Sequence, residues 1–242
     1  MVSDSLIGPG RGRLLGGLLL AGVAGFLLLT LLAALRYPGG TYCEPAATSY
    51  RFWGNYFCDL TGPVTARGED NSRSAALAEA AFASFALATG PFFWLLGGLS
   101  SWPRSVRALG LVAAAGTAAL AWVPARAGAT VHATAVFSAT IPGLAAAGAG
   151  MVGTLRARHR SPLVRASAWL GVATFAAGLA DAAGYARAVA ANVGCIPWLP
   201  VLQKVTGLCL VSWMSLVAIA ALAALAGRSS AAVPQNQANR PG

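Results

Sequence analysis

Six long apolar stretches constrain this chain more than any other feature of its sequence. A bilayer core about 30 Å thick needs roughly 20 apolar residues in a helix that rises 1.5 Å per residue. Suitable stretches occur at 14–35, 75–99, 106–123, 129–155, 163–185 and 202–226. Because 57% of the residues are hydrophobic and only 10% are charged, the composition excludes an ordinary soluble domain. The sequence predicts an all-α fold: a polytopic membrane bundle of six transmembrane helices in one domain, 1–226.

The first stretch admits two interpretations. It follows Arg11 and Arg13, as the apolar core of a cleaved signal peptide would. A length of about 22 residues is long for such a core, and no clean small-x-small site precedes Arg36. We therefore expect a retained helix.

Basic residues are unevenly divided between the connecting segments. With the N-terminus in the cytoplasm, the inner segments contain ten arginines and one acidic residue, Asp4. The outer segments contain seven basic and six acidic residues. The positive-inside rule counts Lys and Arg in short loops, and LRARHRSPLVR at 155–165 decides the orientation. We expect both termini in the cytoplasm of a cell (plasma or inner) membrane, with a disordered polar tail over 227–242.

The formal net charge of +10 has a different meaning in a membrane protein than in a soluble one. In a soluble chain it would suggest nucleic acid, whereas here it indicates contact with anionic lipid headgroups at the cytoplasmic face. We expect no nucleic-acid partner. A strict GxxxG pair is absent from the six stretches, so the sequence predicts nothing about oligomeric state.

An aromatic segment, TSYRFWGNYFCDLT at 48–61, lies in the long outer loop 36–74. We call it the aromatic cassette. Trp53, Tyr56, Phe57 and Leu60 are spaced i, i+3, i+4, i+7, which is typical of one helical face. The spacing predicts a short amphipathic helix in the outer interface, although Gly54 would weaken it by about 1 kcal/mol.

Ionisable residues inside membrane spans are costly and require a partner or a wet cavity. Given the alternating helix directions, four of them fall toward the outer ends of the spans, beneath the cassette: Glu79, His132, Asp181 and Lys204. The sequence therefore predicts an outward-facing polar and aromatic pocket. Its predicted residues are Trp53, Tyr56, Asp59, Glu79, Arg126, His132, Asp181 and Lys204.

Asp59 and His132 are the candidates for acid–base chemistry, because imidazole exchanges protons near neutral pH beside a carboxylate. The chain has only two histidines, and His159 lies among arginines on the cytoplasmic side, so a three-histidine zinc site is impossible. HExxH, GxSxG, CxxC and phosphate-binding glycine motifs are all missing. We expect no cofactor and no metal.

Three cysteines are expected on the outer, oxidising side: Cys43, Cys58 and Cys195. They permit one disulfide. The bond would join Cys43 to either Cys58 or Cys195. Alternatively, Cys58 stays reduced.

The order of elements resembles a known membrane family. One transmembrane helix, an outer segment ending in CDLTG at 58–62, and a helix that opens with small residues and Phe are similar to the domain of unknown function 998 integral membrane family. VPARAGATVHATAVFSA at 123–139 resembles that family's Pro-containing turn, histidine and small-apolar helix. TGLCLVSWMSLVAIAAL at 206–222 resembles its last helix. The resemblance implies a bacterial or archaeal six-helix membrane protein of a family without an assigned activity.

A more distant resemblance is to the CREST superfamily of transmembrane hydrolases, which includes alkaline ceramidases. There Ser, Asp and three His are thought to form a metal site. Asp59 and His132 match two of those positions, Cys58 stands where related families tend to have Ser, and the other histidines have no counterpart.

Three functions follow as hypotheses. The first is binding of a lipid or small amphiphile in the outward pocket, without catalysis. The second is a degenerate hydrolase acting on lipid, with Asp59 and His132 as the reacting pair. The third is a small transporter, which the lack of internal repetition argues against.

Overall fold

The structure is a computed structural model, and it describes residues 8–123, 129–157 and 161–231. Six α-helices make up most of these residues: α1 Pro9–Arg36, α2 Ser72–Gly97, α3 Pro103–Leu120, α4 Ala129–Ala157, α5 Pro162–Ala190 and α6 Leu199–Ala231. Within the described ranges there is no β-strand, only an isolated bridge between Val64 and Asp70. The predicted all-α fold is confirmed.

Five of the described helices, α1, α2, α4, α5 and α6, are long and apolar enough to cross a membrane by length and composition. A multi-pass membrane protein is therefore supported. The shorter α3 has 18 residues and carries Arg104 and Arg107 near its start, so a sixth span stays a prediction. At the C-terminal end, α6 continues to Ala231, so residues 227–231 are helical and the predicted disordered tail began too early. The rest of the predicted tail, 232–242, lies outside the described residues.

Consecutive helices pack against one another, and α6 returns to α1, so the bundle closes. Trp213, Phe92 and Leu96 are fully buried at its centre. Glycine permits the closest approaches: a Cβ on Gly116 of α3 would lie 2.6 Å from the backbone nitrogen of Ala139 in α4. Small residues at such crossings are typical of membrane helix packing.

The segment that joins α1 to α2, residues 37–71, is anchored to both helices, and we call it the outer segment after the side predicted for it. Ser74 at the start of α2 donates a 3.0 Å hydrogen bond to the carbonyl oxygen of Ala33 near the end of α1. The buried Asn71 side chain donates to the carbonyl oxygens of Leu60 and Gly62 at 3.1 and 2.7 Å. These bonds satisfy backbone groups that a buried loop would otherwise leave unpaired.

Candidate functional site

The aromatic cassette does not form the regular helix that its spacing predicts. Residues 52–54 form a turn, and a short 3-10 helix follows at Phe57–Thr61. The reason is the side chain of Asn55, whose Oδ1 accepts the backbone N–H of Arg51 at 2.9 Å. Asn side chains that bond to nearby backbone in this way compete with helix formation.

Asn55 is also the centre of a polar network beneath the cassette. It is completely buried, and its Nδ2 donates to the carbonyl oxygen of Gly40 at 2.8 Å and to Oδ2 of Asp59 at 2.9 Å. The same Asp59 oxygen accepts the backbone N–H of Tyr56 at 2.9 Å. Two hydrogen bonds thus fix the orientation of the Asp59 carboxylate.

Two neighbouring side chains of α6 hold the cassette in place. Lys204 is completely buried, donates a 2.6 Å hydrogen bond to the carbonyl oxygen of Asn55, and lies 4.0 Å from the centroid of the Phe57 ring. The Oε1 atom of Gln203 accepts the backbone N–H of Phe57 at 2.8 Å. A buried ammonium needs such compensation, and the Phe57 ring adds a cation–π contact.

A cavity of about 240 Å³ lies beside this network. Its walls come from the outer segment, α4, α5, the α5–α6 connection and the first turns of α6. Both polar and apolar side chains line it. The polar and aromatic part of the lining is Tyr42, Tyr56, Cys58, Asp59, His132, Asp181, Tyr185 and Gln203.

A second cavity of about 230 Å³ lies deeper in the bundle and shares Thr140 and Asp181 with the first. Its walls are mainly apolar and aromatic, with rings from Phe82, Phe85, Phe92, Phe93 and Phe175. The hydroxyl oxygen of Thr206, which also lines it, is buried without a hydrogen-bond partner among the described residues. We call the two spaces the outer chamber and the inner chamber.

His132 is buried at the outer chamber. Its Nδ1 lies 2.8 Å from the carbonyl oxygen of Val123. A carbonyl oxygen only accepts, so this contact assigns the proton to Nδ1 and, in the neutral ring, leaves Nε2 as an acceptor.

Burial and the charge of Asp59 keep two titratable groups of the cassette, Cys58 and Tyr56, neutral. Burial, followed by the negative charge of Asp59, raises the pKa of the Cys58 thiol to about 12. Burial, followed by the charge of Asp59, also raises the pKa of the Tyr56 hydroxyl above its usual range. Both groups therefore present hydrogen-bond donors to the outer chamber at neutral pH.

The outer segment is also linked covalently to the opposite side of the chamber. Cys43 forms a disulfide with Cys195 in the α5–α6 connection, which is one of the two pairings the sequence left open. Cys58 and Cys209 are free thiols.

Seven of the eight predicted site residues are described, and they separate into three groups. Tyr56, Asp59, His132 and Asp181 line the outer chamber. Lys204 lies behind the chamber, in contact with Asn55 and Phe57. Trp53 is half-exposed, and its ring packs edge-on against Phe52 with the centroids 4.7 Å apart. Glu79 is half-buried on α2. Neither side chain lines a chamber. Arg126 lies outside the described residues.

The residues missed from the sequence include Tyr42, Tyr185 and Gln203. Tyr42 packs edge-on against Tyr56 at 6.3 Å, and Tyr185 packs against Phe137 at 5.7 Å. Tyr185 lies four residues after Asp181 on α5, and that helical spacing was a usable signal. Gln203 had no such signal, because only the folded cassette brings the Phe57 N–H to it.

The described residues contain no group of three or more His, Cys, Asp or Glu side chains arranged to hold a metal ion. No protein-family model matches the chain, and no curated protein and no solved structure is similar to it. The resemblances to two membrane families stay predictions from short motifs.

Proposed function

We propose that this protein is a six-span membrane protein that binds a lipid or small amphiphile in its two adjoining chambers. The observation that supports this proposal is the arrangement of those chambers. A polar and aromatic outer chamber shares Thr140 and Asp181 with an apolar inner chamber. A ligand with a polar head group and an apolar chain has complementary parts in that order.

The disulfide supports the sixth span by parity. Cys43 follows α1 and Cys195 follows α5. Because a disulfide joins them, the two cysteines lie on the same side of the membrane. The chain crosses an even number of times between them. The helices α2, α4 and α5 supply three crossings, and α3 supplies the fourth. With six spans, both termini share one side, and the arginine-rich connections favour the cytoplasm.

The head group is expected to carry hydrogen-bond donors. Asp59 and Asp181 offer acceptor oxygens at the outer chamber, and Lys204 attracts both carboxylates from behind it. The rings of Tyr56, Tyr185 and Tyr42 provide faces for an alkyl or cationic group. The Thr206 hydroxyl offers an extra polar contact deeper in the bundle.

The experiment uses three photoreactive amphiphiles with the same diazirine-bearing dodecyl chain and an amine, alcohol or carboxylate head. They are cross-linked to the purified protein in nanodiscs and mapped by mass spectrometry. We expect labels on inner-chamber residues, with the amine probe labelling most strongly. Thr140→Phe, which places a ring between the chambers, should reduce these labels to background.

Thr134→Phe is the matched control, because Thr134 lies on the same helix and is exposed. It should leave inner-chamber labelling unchanged. Labels spread over the outside of the bundle, equally in wild type and Thr140→Phe, would contradict the proposal.

A hydrolase acting on lipid is the second candidate, because Asp59 and His132 line one chamber. Release of fatty acid from ceramide or phosphatidylglycerol vesicles by the wild type, and its loss in His132→Gln, would support it. Equal release by both proteins, or none by either, would leave binding without catalysis as the function.

A further inference from the structure

A second cluster of charged and aromatic side chains lies at the end of the bundle opposite the outer chamber. Here α1 and α3 begin and α2 ends. The guanidinium carbons of Arg11 and Arg107 each lie 4.9 Å from the centroid of the Trp94 ring. The two positive charges therefore lie within about 10 Å of each other, a separation at which they repel in a partly buried setting.

Hydrogen-bond donors in this cluster lack acceptors. The Nη2 atom of Arg107 and the Nε1 atom of Trp94 are both buried, with no hydrogen-bond partner among the described residues. Arg107 uses its Nε to donate a 3.4 Å hydrogen bond to the carbonyl oxygen of Trp94. Leaving buried donors unpaired costs free energy, so an acceptor that approaches both groups gains more than it would at an ordinary surface.

The fold makes room for this arrangement. A Cβ on Gly97 would lie 3.0 Å from Cγ of Arg107 and 3.2 Å from the carbonyl oxygen of Pro103, so glycine lets the arginine pack beside the end of α2. Arg11 is exposed, and its long side chain can turn aside to admit a ligand.

No carboxylate of the described residues forms an ion pair with either arginine; the ion pairs in these ranges join Arg51 to Glu44 and Arg67 to Glu69, both in the outer segment. The acidic residue nearest to Arg11 in sequence is Asp4, which lies outside the described residues. Two guanidinium groups and an indole N–H are suited to an anion with several oxygen acceptors.

We propose that Arg11, Trp94 and Arg107 form a binding site for a phosphate group, carried by an anionic membrane phospholipid or present as free phosphate. Trp at this depth is typical of the membrane interface, and basic clefts between membrane helices bind anionic lipid headgroups. The site is independent of the two chambers.

The test uses the purified full-length protein after removal of lipid. One arm titrates dioleoylphosphatidylglycerol or dioleoylphosphatidylcholine in mixed micelles and measures binding by native mass spectrometry. A second arm titrates inorganic phosphate and follows the ³¹P linewidth. We expect saturable binding in at least one arm, with the first arm favouring the anionic lipid if the phosphate belongs to a lipid.

Arg107→Gln should weaken that binding about tenfold, the effect of losing hydrogen bonds to a charged group. Arg104→Gln is the matched control: it removes the same charge from the same helix, at an exposed position three residues away. It should change affinity less than twofold. Trp94→Phe keeps the ring but removes the indole donor, and should weaken binding severalfold even if Arg107→Gln fails to fold.

Equal losses in Arg107→Gln and Arg104→Gln would reduce the effect to general surface charge and overturn the site. Absence of binding in both arms would overturn it as well. Asp4→Asn tests whether the chain's own carboxylate fills the site. Unchanged affinity for the probe supports the site, whereas a rise in affinity of about tenfold or more would mean that Asp4 fills it.

Discussion

The side-chain ammonium of Lys204 donates a 2.6 Å hydrogen bond to the backbone carbonyl oxygen of Asn55, 149 residues earlier in the chain. This contact joins the first turns of α6 to the centre of the aromatic cassette. Because Lys204 is completely buried, the bond forms away from competing water. One buried charge therefore helps to hold the cassette over the outer chamber, together with the Gln203 contact.

Replacing that charge should destabilise the protein. We expect Lys204→Met to lower the free energy of unfolding by about 2 kcal/mol, because the Asn55 carbonyl loses a charged donor and the Phe57 ring loses its cation. Unfolding by SDS titration, followed by tryptophan fluorescence, measures the change. Arg187→Met, on the exposed outer end of α5, should stay within about 0.5 kcal/mol of wild type. Equal stabilities for the two variants would refute the role of Lys204.

Asn55 itself should show a graded response to substitution. Asn55→Ala loses the bonds to Gly40 and Asp59 and should cost about 2 kcal/mol. Asn55→Asp has nearly the same shape but turns the donor into an acceptor, facing the Gly40 carbonyl and the Asp59 carboxylate. We therefore expect it to be less stable than Asn55→Ala in the same SDS titration. The reverse order would show that the amide donor is not what the site requires.

The Cys43–Cys195 disulfide closes a loop of 152 residues in sequence. Cross-links that close long loops stabilise chiefly by restricting the unfolded chain, typically by 2–4 kcal/mol. We expect Cys43→Ser/Cys195→Ser to lose about that much, and a reducing agent to lower the melting temperature of the wild type but not of the double variant. Cys209→Ala, which removes a free thiol of α6, is the control. A reductant-insensitive wild type would contradict this prediction.

The sequence predicted the helices far better than the site, and particular residues show why. Apolar runs long enough to span a bilayer are local features, so most helix positions followed directly. Alternating helices were expected to bring Asp59, His132 and Asp181 to a common depth, and the three side chains line one chamber. The backbone conformation of the cassette could not be predicted from the sequence in this way. Helical spacing of Trp53 and Tyr56 was outweighed by contacts of Asn55 that are distant in sequence: its side chain donates to the Gly40 carbonyl oxygen, and its backbone carbonyl oxygen accepts from Lys204.

The Cys58 thiol should resist alkylation at alkaline pH. Its pKa of about 12, raised by burial and then by the charge of Asp59, leaves roughly one thiol in a thousand ionised at pH 9. Because only the thiolate reacts, the rate with iodoacetamide in a Cys209→Ala background should rise about tenfold per pH unit from 8 to 11. In SDS-unfolded protein the rate should level off above about pH 9.

Asp59→Asn provides the sign test for that mechanism. Removing the neighbouring negative charge favours the thiolate, so the pKa of Cys58 should fall and alkylation at a given pH should accelerate. Mass spectrometry of the alkylated peptide measures both rates. A plateau near pH 9 in the folded wild type would mean that the thiol is not in the environment described.

The membrane crossing of α3 can be tested by labelling single cysteines from outside intact cells with an impermeant maleimide. The background is Cys58→Ala/Cys209→Ala, which retains the disulfide. If α3 crosses, Ser49→Cys in the outer segment and Ala191→Cys after α5 should be labelled. Ser101→Cys before α3 and Arg165→Cys near the start of α5 should react only after the cells are opened.

These four positions are exposed or lie in connections on the protein surface, so differences in labelling report sidedness. If α3 stayed on one side, Arg165→Cys would be labelled from outside and Ala191→Cys would not. That pattern would place Cys195 on the side opposite Cys43, which the disulfide between them forbids. The labelling pattern and the disulfide therefore test the same six-span topology by independent means.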